Sequence, residues 1–298
     1  MSRTVAEALR AGAGRLAELD AETARLDAEL LMAHALGCSR SEMLTTAMRD
    51  TAPERFDRMI ARRLKREPVA HIVGSTGFWG RDFVVSTDVL IPRGDTEVLV
   101  AAALAEKPDA RAILDLGTGS GALLVTMLCE FHKAVGVGVD ASQAALDMAR
   151  NNAKKHGADG RSRFLQADWT KPAWRKKLGR YDLVLCNPPY VEEDAELDDD
   201  VREYEPAAAL FAGTDGLDDY RVLLPQLGAL LSEDGVALFE IGHEQAEPVV
   251  ELAKEARLFA SLKHDLAGRP RCVMLRRGTS VNNTETRGLA KGARGATS

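Results

Sequence analysis

The strongest constraint on this chain is a glycine run set between a strand pattern and a helix pattern. Arg111-Ala112-Ile113-Leu114 reads as a strand, Asp115-Leu116-Gly117-Thr118-Gly119-Ser120-Gly121 follows, and Ala122 to Cys129 is a helical run. Glycines there permit a tight turn and close backbone approach to a ligand at a helix N-terminus. Further strands follow downstream. Ala134-Val135-Gly136-Val137-Gly138-Val139 ends in Asp140, Phe164-Leu165 marks a third strand, and Tyr181 to Cys186 is an apolar run of the buried parallel type. Val236 to Ile241 and Cys272 to Leu275 are late strands. Strands alternating with helices define an α/β chain with a doubly wound, mostly parallel sheet.

Sheets of this kind bind ligands beyond the carboxyl ends of their strands, so the residues there carry the functional signal. Asp140 ends the second strand, where one carboxylate can accept from both hydroxyls of a ribose. Asp168-Trp169 follows the third, an acid and an aromatic suited to bracketing an adenine. Asn187-Pro188-Pro189-Tyr190 follows the fourth. An amide nitrogen is a poor nucleophile because its lone pair is delocalised. The Asn187 side-chain oxygen and a backbone carbonyl near Pro188 would accept its two hydrogens and aim that lone pair. Two successive prolines fix φ and remove N–H donors, which stiffens the frame.

Each feature also has a plain structural reading. Gly117, Gly119 and Gly121 suit any strand-to-helix turn, Asp140 suits a cap for a helix starting near Ala141-Ser142, Trp169 suits core or rim packing, and Tyr190 suits a loop aromatic. Gly117, Gly119 and Ala122 satisfy the loose dinucleotide fingerprint too, so NAD is a rival ligand. No hydride-transfer constellation accompanies them. The combination favours S-adenosylmethionine.

These motifs resemble those of the bacterial protein-(glutamine-N5) methyltransferases, the PrmC/HemK family, from about Val5 to about Arg277. Ile91-Pro92-Arg93-Gly94-Asp95-Thr96-Glu97 is similar to that family's N-terminal signature, with Gly94 where the family usually has proline. Glu205-Pro206, Ala208 to Phe211, Gly213, Asp215-Gly216-Leu217 and Tyr220-Arg221 extend the likeness, as do Glu240-Ile241-Gly242 with Gln245 and Asp265 to Arg269 with Arg271. The resemblance implies S-adenosylmethionine contacts from Gly117, Thr118, Gly119, Ser120, Gly121, Asp140, Trp169 and Asn187. Asp168 joins them through the adenine-bracket reading. It implies a substrate and catalytic site at Asn187, Pro188, Pro189 and Tyr190, with Phe78 a further residue to pack on the amide or methyl. The substrate it implies is the glutamine of the Gly-Gly-Gln loop of class I peptide-chain release factors. Glutamine methylation of a large-subunit ribosomal protein is the nearest alternative, and a catalytically silent cofactor-binding protein of the same fold is a second.

Residues 1–70 place apolar side chains at helical spacing (Leu9, Leu16 and Leu19; Leu26, Leu30, Leu31 and Ala35; Phe56, Met59, Ile60 and Leu64), the pattern of a small helical bundle. Ser39 with Glu42 suits a capping box and Pro53 a helix start. The resemblance makes the bundle a substrate-docking domain, and Arg62, Arg63, Lys65 and Arg66 are either docking residues or a solvated face. Residues 71–91 read as a hairpin linker, 92–278 as the methyltransferase domain and 279–298 as a disordered tail. The acidic run from Glu192 to Asp200 is a solvated loop or a phosphate-repelling rim. With a formal net charge of -6, that disfavours a nucleic-acid substrate. Arg3, Glu7, Arg10 and Arg15 interrupt any signal-peptide core, and no apolar run approaches the ~20 residues of a membrane helix. Four separated cysteines fit a reducing compartment. A cytoplasmic monomer without a metal site is expected.

Overall fold

The computed structural model describes residues 3–278; the expected disordered tail lies outside the described residues. The N-terminal bundle comprises α1 (Val5–Leu16), α2 (Ala24–Leu36), the short α3 (Arg40–Glu42), which runs on into a π-helical turn at Met43–Ala47, α4 (Arg55–Arg63) and α5 (Val69–Val73). Thr4 and Glu7 form a reciprocal capping box at the start of α1, and Ser39 Oγ accepts from the Glu42 N–H at α3. Phe56 and Ile60 of α4 pack onto α1 and α2. The face of α2 differs from expectation. Ala24, Ala28, Leu31, Met32 and Ala35 are buried, whereas Leu26 and Leu30 are exposed. The i, i+4, i+7, i+8, i+11 stripe won over the two leucines because it includes small residues that let α1 approach closely.

A hairpin of β1 (Ser75–Phe78) and β2 (Arg81–Val84) joins this bundle to the sheet domain. Phe78 and Phe83 bury their rings in the sheet domain's own core. A 3-10 turn at Gly94–Thr96 then leads into α6 (Glu97–Glu106). Thereafter the elements are β3 (Ala112–Leu116), α7 (Ala122–Glu130), β4 (Val135–Asp140), α8 (Gln143–Lys155), β5 (Ser162–Gln166), β6 (Tyr181–Cys186), α9 (Asp199–Tyr204), α10 (Asp218–Leu230), β7 (Leu231–Glu240), α11 (Ala246–Glu255), β8 (Leu258–His264) and β9 (Pro270–Arg277). The seven-stranded sheet has the order β5-β4-β3-β6-β7-β9-β8. Its first five strands are parallel, while β9 runs antiparallel to both β7 and β8.

Side chains alternate between the two faces, as a two-residue period requires. Ile113, Leu183, Leu185, Val236 and Leu238 face α6 and α7, while Leu114, Leu116, Val184, Cys186, Ala237 and Phe239 face α10 and α11. After β5 the chain returns to the far side of β3, so the strand order reverses between β3 and β6. Their register pairs Leu116 with Cys186. The glycine run and the Asn187 motif therefore emerge side by side at the switch point, where ligands of such sheets bind.

Gly94 opens the 3-10 turn, and Arg93 before it is extended, with φ -102° and ψ 152°. A Cβ at Gly94 would meet nothing within 4 Å. Proline suits a first helical position after an extended residue. Gly94→Pro is expected to stabilise the protein by roughly 0.4–1 kcal/mol through the unfolded state. A raised urea midpoint would agree; a lowered one would show that the Gly94 N–H has a partner.

Candidate active site

Gly117, Gly119 and Gly121 all have positive φ, at 71°, 54° and 81°. A Cβ on Gly121 would sit 3.1 Å from Ala149, and one on Gly117 would sit 3.2 Å from the Trp169 ring. The loop is thus held in a conformation that other residues adopt only with strain. Two buried side chains fasten it. Thr118 donates its hydroxyl to Asp115 at 2.6 Å, and Asn152 Nδ2 donates to the carbonyls of Ser120 and Val84. Burial pushes the Asp115 carboxyl up to about 7, against the Thr118 hydrogen bond that favours its charge.

Asp140 lies at the end of β4 with both oxygens engaged by backbone. Gly119 N–H donates to Oδ2 and Ser142 N–H to Oδ1, each at 2.9 Å. The helix cap itself belongs to Ser142, whose hydroxyl accepts from Ala145 N–H. Asp140 is therefore left to face the cavity rather than α8. Burial raises its pKa, while the N–H groups of Ser142, Gly119 and Ala141 oppose the shift.

The cavity here has a volume of about 430 Å³. Gly117, Thr118, Gly119, Ser120, Asp140, Trp169, Asn187 and Pro189 line it, together with Phe78 from the hairpin. Residues not singled out from the sequence complete the wall. Thr87 to Leu90, Pro92 and Thr96 come from the segment before α6, and Pro206, Ala208 and Ala209 from the segment after α9. Pro92, Thr96, Pro206, Ala208 and Ala209 belong to the Ile91–Glu97 and Glu205–Phe211 motifs, but nothing local shows that these fold over one cavity. Glu205 joins them, accepting from Ile91 N–H at 3.0 Å and pairing with Arg93.

Other expected site residues lie elsewhere. Asp168 is turned back on its own loop, accepting from the Thr170 N–H and hydroxyl, and does not line the cavity. Trp169 does line it, its Nε1 held by Asp219. Gly121, Pro188 and Tyr190 are not among the residues that line it. Tyr190 donates its hydroxyl to Glu240 Oε1 at 3.1 Å, and burial with the Glu240 charge pushes its pKa well above the usual phenol range. Gln245 Nε2 donates to the Tyr190 and Gly216 carbonyls at 3.0 and 3.3 Å, which pins the end of the motif. Asn187 Nδ2 donates to Thr96 Oγ1 at 3.2 Å. Its Oδ1 is the acceptor left for a ligand.

Arg62, Arg63 and Arg66, at and just after the end of α4, have partners inside the chain. Arg62 pairs with Glu67, Arg63 with Asp27 at 2.8 Å and Asp200 at 3.6 Å, and Arg66 with Asp199 at 3.1 Å. Tyr204 donates its hydroxyl to the Lys65 carbonyl. The end of the acidic run thus clasps the bundle to the segment that covers the cavity. Among the described residues, no three His, Cys, Asp or Glu side chains converge as a metal site, and no helix is long and apolar enough to cross a membrane.

A carboxylate on the cavity wall, a cramped glycine loop and an amide acceptor, all around one cavity of ligand size, suit one class of chemistry. The chain is an S-adenosylmethionine-dependent methyltransferase. Residues 7–74 match the family model of the PrmC N-terminal domain, and residues 93–208 match that of the methyltransferase small domain. A release factor glutamine methyltransferase of Rhodospirillum rubrum is 40% identical over 273 residues, covering 89% of this chain and 83% of its own. One from Cereibacter sphaeroides is 42% identical over 278 residues, covering 91% and 98%. The chain belongs to the release factor glutamine methyltransferase family. A solved structure of the hMettl16 catalytic domain shares the fold alone, with a TM-score of 0.51 at 10% identity over 67% of this chain and 77% of that one.

Proposed function

We propose that this enzyme methylates the side-chain amide nitrogen of the glutamine in the Gly-Gly-Gln motif of class I peptide-chain release factors, in the cytoplasm. The observation that carries this reading is the Asn187 amide, polarised by Thr96 so that its oxygen faces a cavity shared with the glycine loop and Asp140. Glycines flanking the target would let an extended backbone reach a recessed pocket. The names of the relatives favour a release factor over the ribosomal-protein alternative.

S-adenosylmethionine supplies an electrophilic methyl group on a sulfonium. Gly117 to Ser120 would cradle it, Asp140 would accept from its ribose hydroxyls, and Trp169 would pack on it. The substrate amide would donate one N–H to Asn187 Oδ1 and the other to a backbone carbonyl of the Asn187–Pro189 segment. Its lone pair then points along the displacement axis. Tyr190 is too strongly held in its protonated form to act as a base. The chemistry needs none: after transfer the nitrogen is cationic and loses its proton readily. Positioning alone can supply about 7–11 kcal/mol of the barrier reduction.

The reading is tested by offering the purified enzyme a class I release factor and a large-subunit ribosomal protein in separate reactions. A one-methyl mass increase on the Gly-Gly-Gln peptide is expected. Modification of the ribosomal protein alone would overturn it.

A further inference from the structure

Three loops meet at Gln245, the residue that precedes α11. Its Nε2 donates to the Tyr190 carbonyl at 3.0 Å and to the Gly216 carbonyl at 3.3 Å. Its Oε1 accepts from the Gly242 N–H at 3.1 Å. These partners fix which way the amide faces, because only Nε2 can donate to both carbonyls. Gly216 has φ 67°, and a Cβ there would fall 2.3 Å from the Tyr190 oxygen and 2.6 Å from Nε2. Glycine lets the two loops approach that closely.

Each of the two clamped carbonyls leads to a different half of the site. Tyr190 closes the Asn187-Pro188-Pro189 segment, and the two stiff prolines pass a hold on its carbonyl back to Asn187. Gly216 stands just before α10, whose Asp219 accepts from Trp169 Nε1 at 2.5 Å. Trp169 lines the cavity, and its ring stands 3.2 Å from where a Cβ on Gly117 would lie. Gln245 itself does not line the cavity.

We propose that Gln245 is a positioning residue for methyl transfer, locking the loop that holds the target amide to the element that holds the cofactor-side wall. The proposal rests on the amide-methylation reading. In the transfer the nitrogen lone pair forms the N–C bond while the C–S pair leaves with sulfur, along one line. Its rate depends on how far the nitrogen stands from the methyl, and a misplacement of about 1 Å can cost roughly 10²-fold. Affinity for either partner alone does not depend on that separation. Asn187, Asp140 and the glycine loop keep their own anchors when Gln245 is changed, since Thr96 holds the first and backbone N–H groups the second. Thr118 and Asn152 fasten the third. Loss of the lock therefore falls on kcat.

The test compares wild type with Gln245→Met and Gln245→Glu, as full chains, with a class I release factor as substrate. Methionine keeps the length of the side chain and removes all three hydrogen bonds. Glutamate keeps the shape and turns an acceptor toward two carbonyls. Both variants are expected to lower kcat roughly 10- to 100-fold, with KM and S-adenosylmethionine affinity within about threefold. The introduced carboxyl can donate once it is protonated, so the Gln245→Glu rate should recover toward wild type at the same pH as the pH is lowered. An unchanged kcat in Gln245→Met, or equal losses of kcat and cofactor affinity, would overturn the lock. Where Gln245→Glu does not fold, Gln245→Met decides. Hydrogen exchange of the enzyme alone tests the lock without any substrate. Residues 190–193 and 215–219 should exchange faster together in Gln245→Met, and wild-type exchange in either stretch would overturn the proposal. A wild type that binds cofactor and does not methylate the release factor would refute the substrate reading instead, while the exchange result still decides the lock.

Discussion

Asn187→Ala is expected to lower the rate of methyl transfer by two to three orders of magnitude, roughly 10²–10³-fold, the scale of losing one preorganised polar contact at a reacting group. The side chain contributes Oδ1 to the cavity and Nδ2 to Thr96, so the variant loses the acceptor and the group that orients it. Little stability should go with it. The loop stays fixed by two prolines, by Gln245 on the Tyr190 carbonyl, and by the Tyr190 contact to Glu240. Single-turnover kinetics beside a thermal melt separate the two effects. Retention of the wild-type rate in a folded variant would remove Asn187 from the mechanism.

Asp140→Ala is expected to weaken S-adenosylmethionine binding roughly 10- to 100-fold, from the ~1.5–3 kcal/mol of hydrogen bonds to a charged group. The substitution also releases Gly119 N–H and Ser142 N–H from their carboxylate. Asp140→Asn keeps an acceptor for one of these and should fall between alanine and wild type. The pH dependence has a definite sign. Burial raises this carboxyl above its ordinary value, and the ribose contact needs the carboxylate. Affinity should therefore fall as the pH is lowered through the raised pKa, and this limb should be missing from Asp140→Ala. Calorimetric titration measures both. Unchanged affinity in Asp140→Ala would reduce the residue to a loop fastener.

The central strands were legible because parallel strands covered on both faces are continuous apolar runs, as Tyr181–Cys186 is. The edge strand Leu258–His264 was not, since half of it is open to solvent and its side chains mix Phe259 with Ser261 and Lys263. The motifs at the ends of β3, β4 and β6 could be read because each is a short local pattern that the register then brings together. Asp168 carries a pattern of the same local kind. A carboxylate after a strand looks like a ligand contact, yet here the Thr170 N–H and hydroxyl two residues on take it up. Thr96 carries no local mark of its place at the site, and only the fold brings its hydroxyl to Asn187 Nδ2. The basic end of α4 was ambiguous between docking and solvation, and the structure gives a third use: ion pairs to Asp199 and Asp200 that hold the bundle against the segment over the cavity.

The decisive measurement is methyl transfer from labelled S-adenosylmethionine to a purified class I release factor, run beside the same factor with its Gly-Gly-Gln glutamine changed to alanine. Label is expected on the first and absent from the second, and it should drop with Asn187→Ala. Equal labelling of both factors would place the acceptor elsewhere. No labelling by an enzyme shown to bind the cofactor would refute glutamine methylation of release factors by this chain.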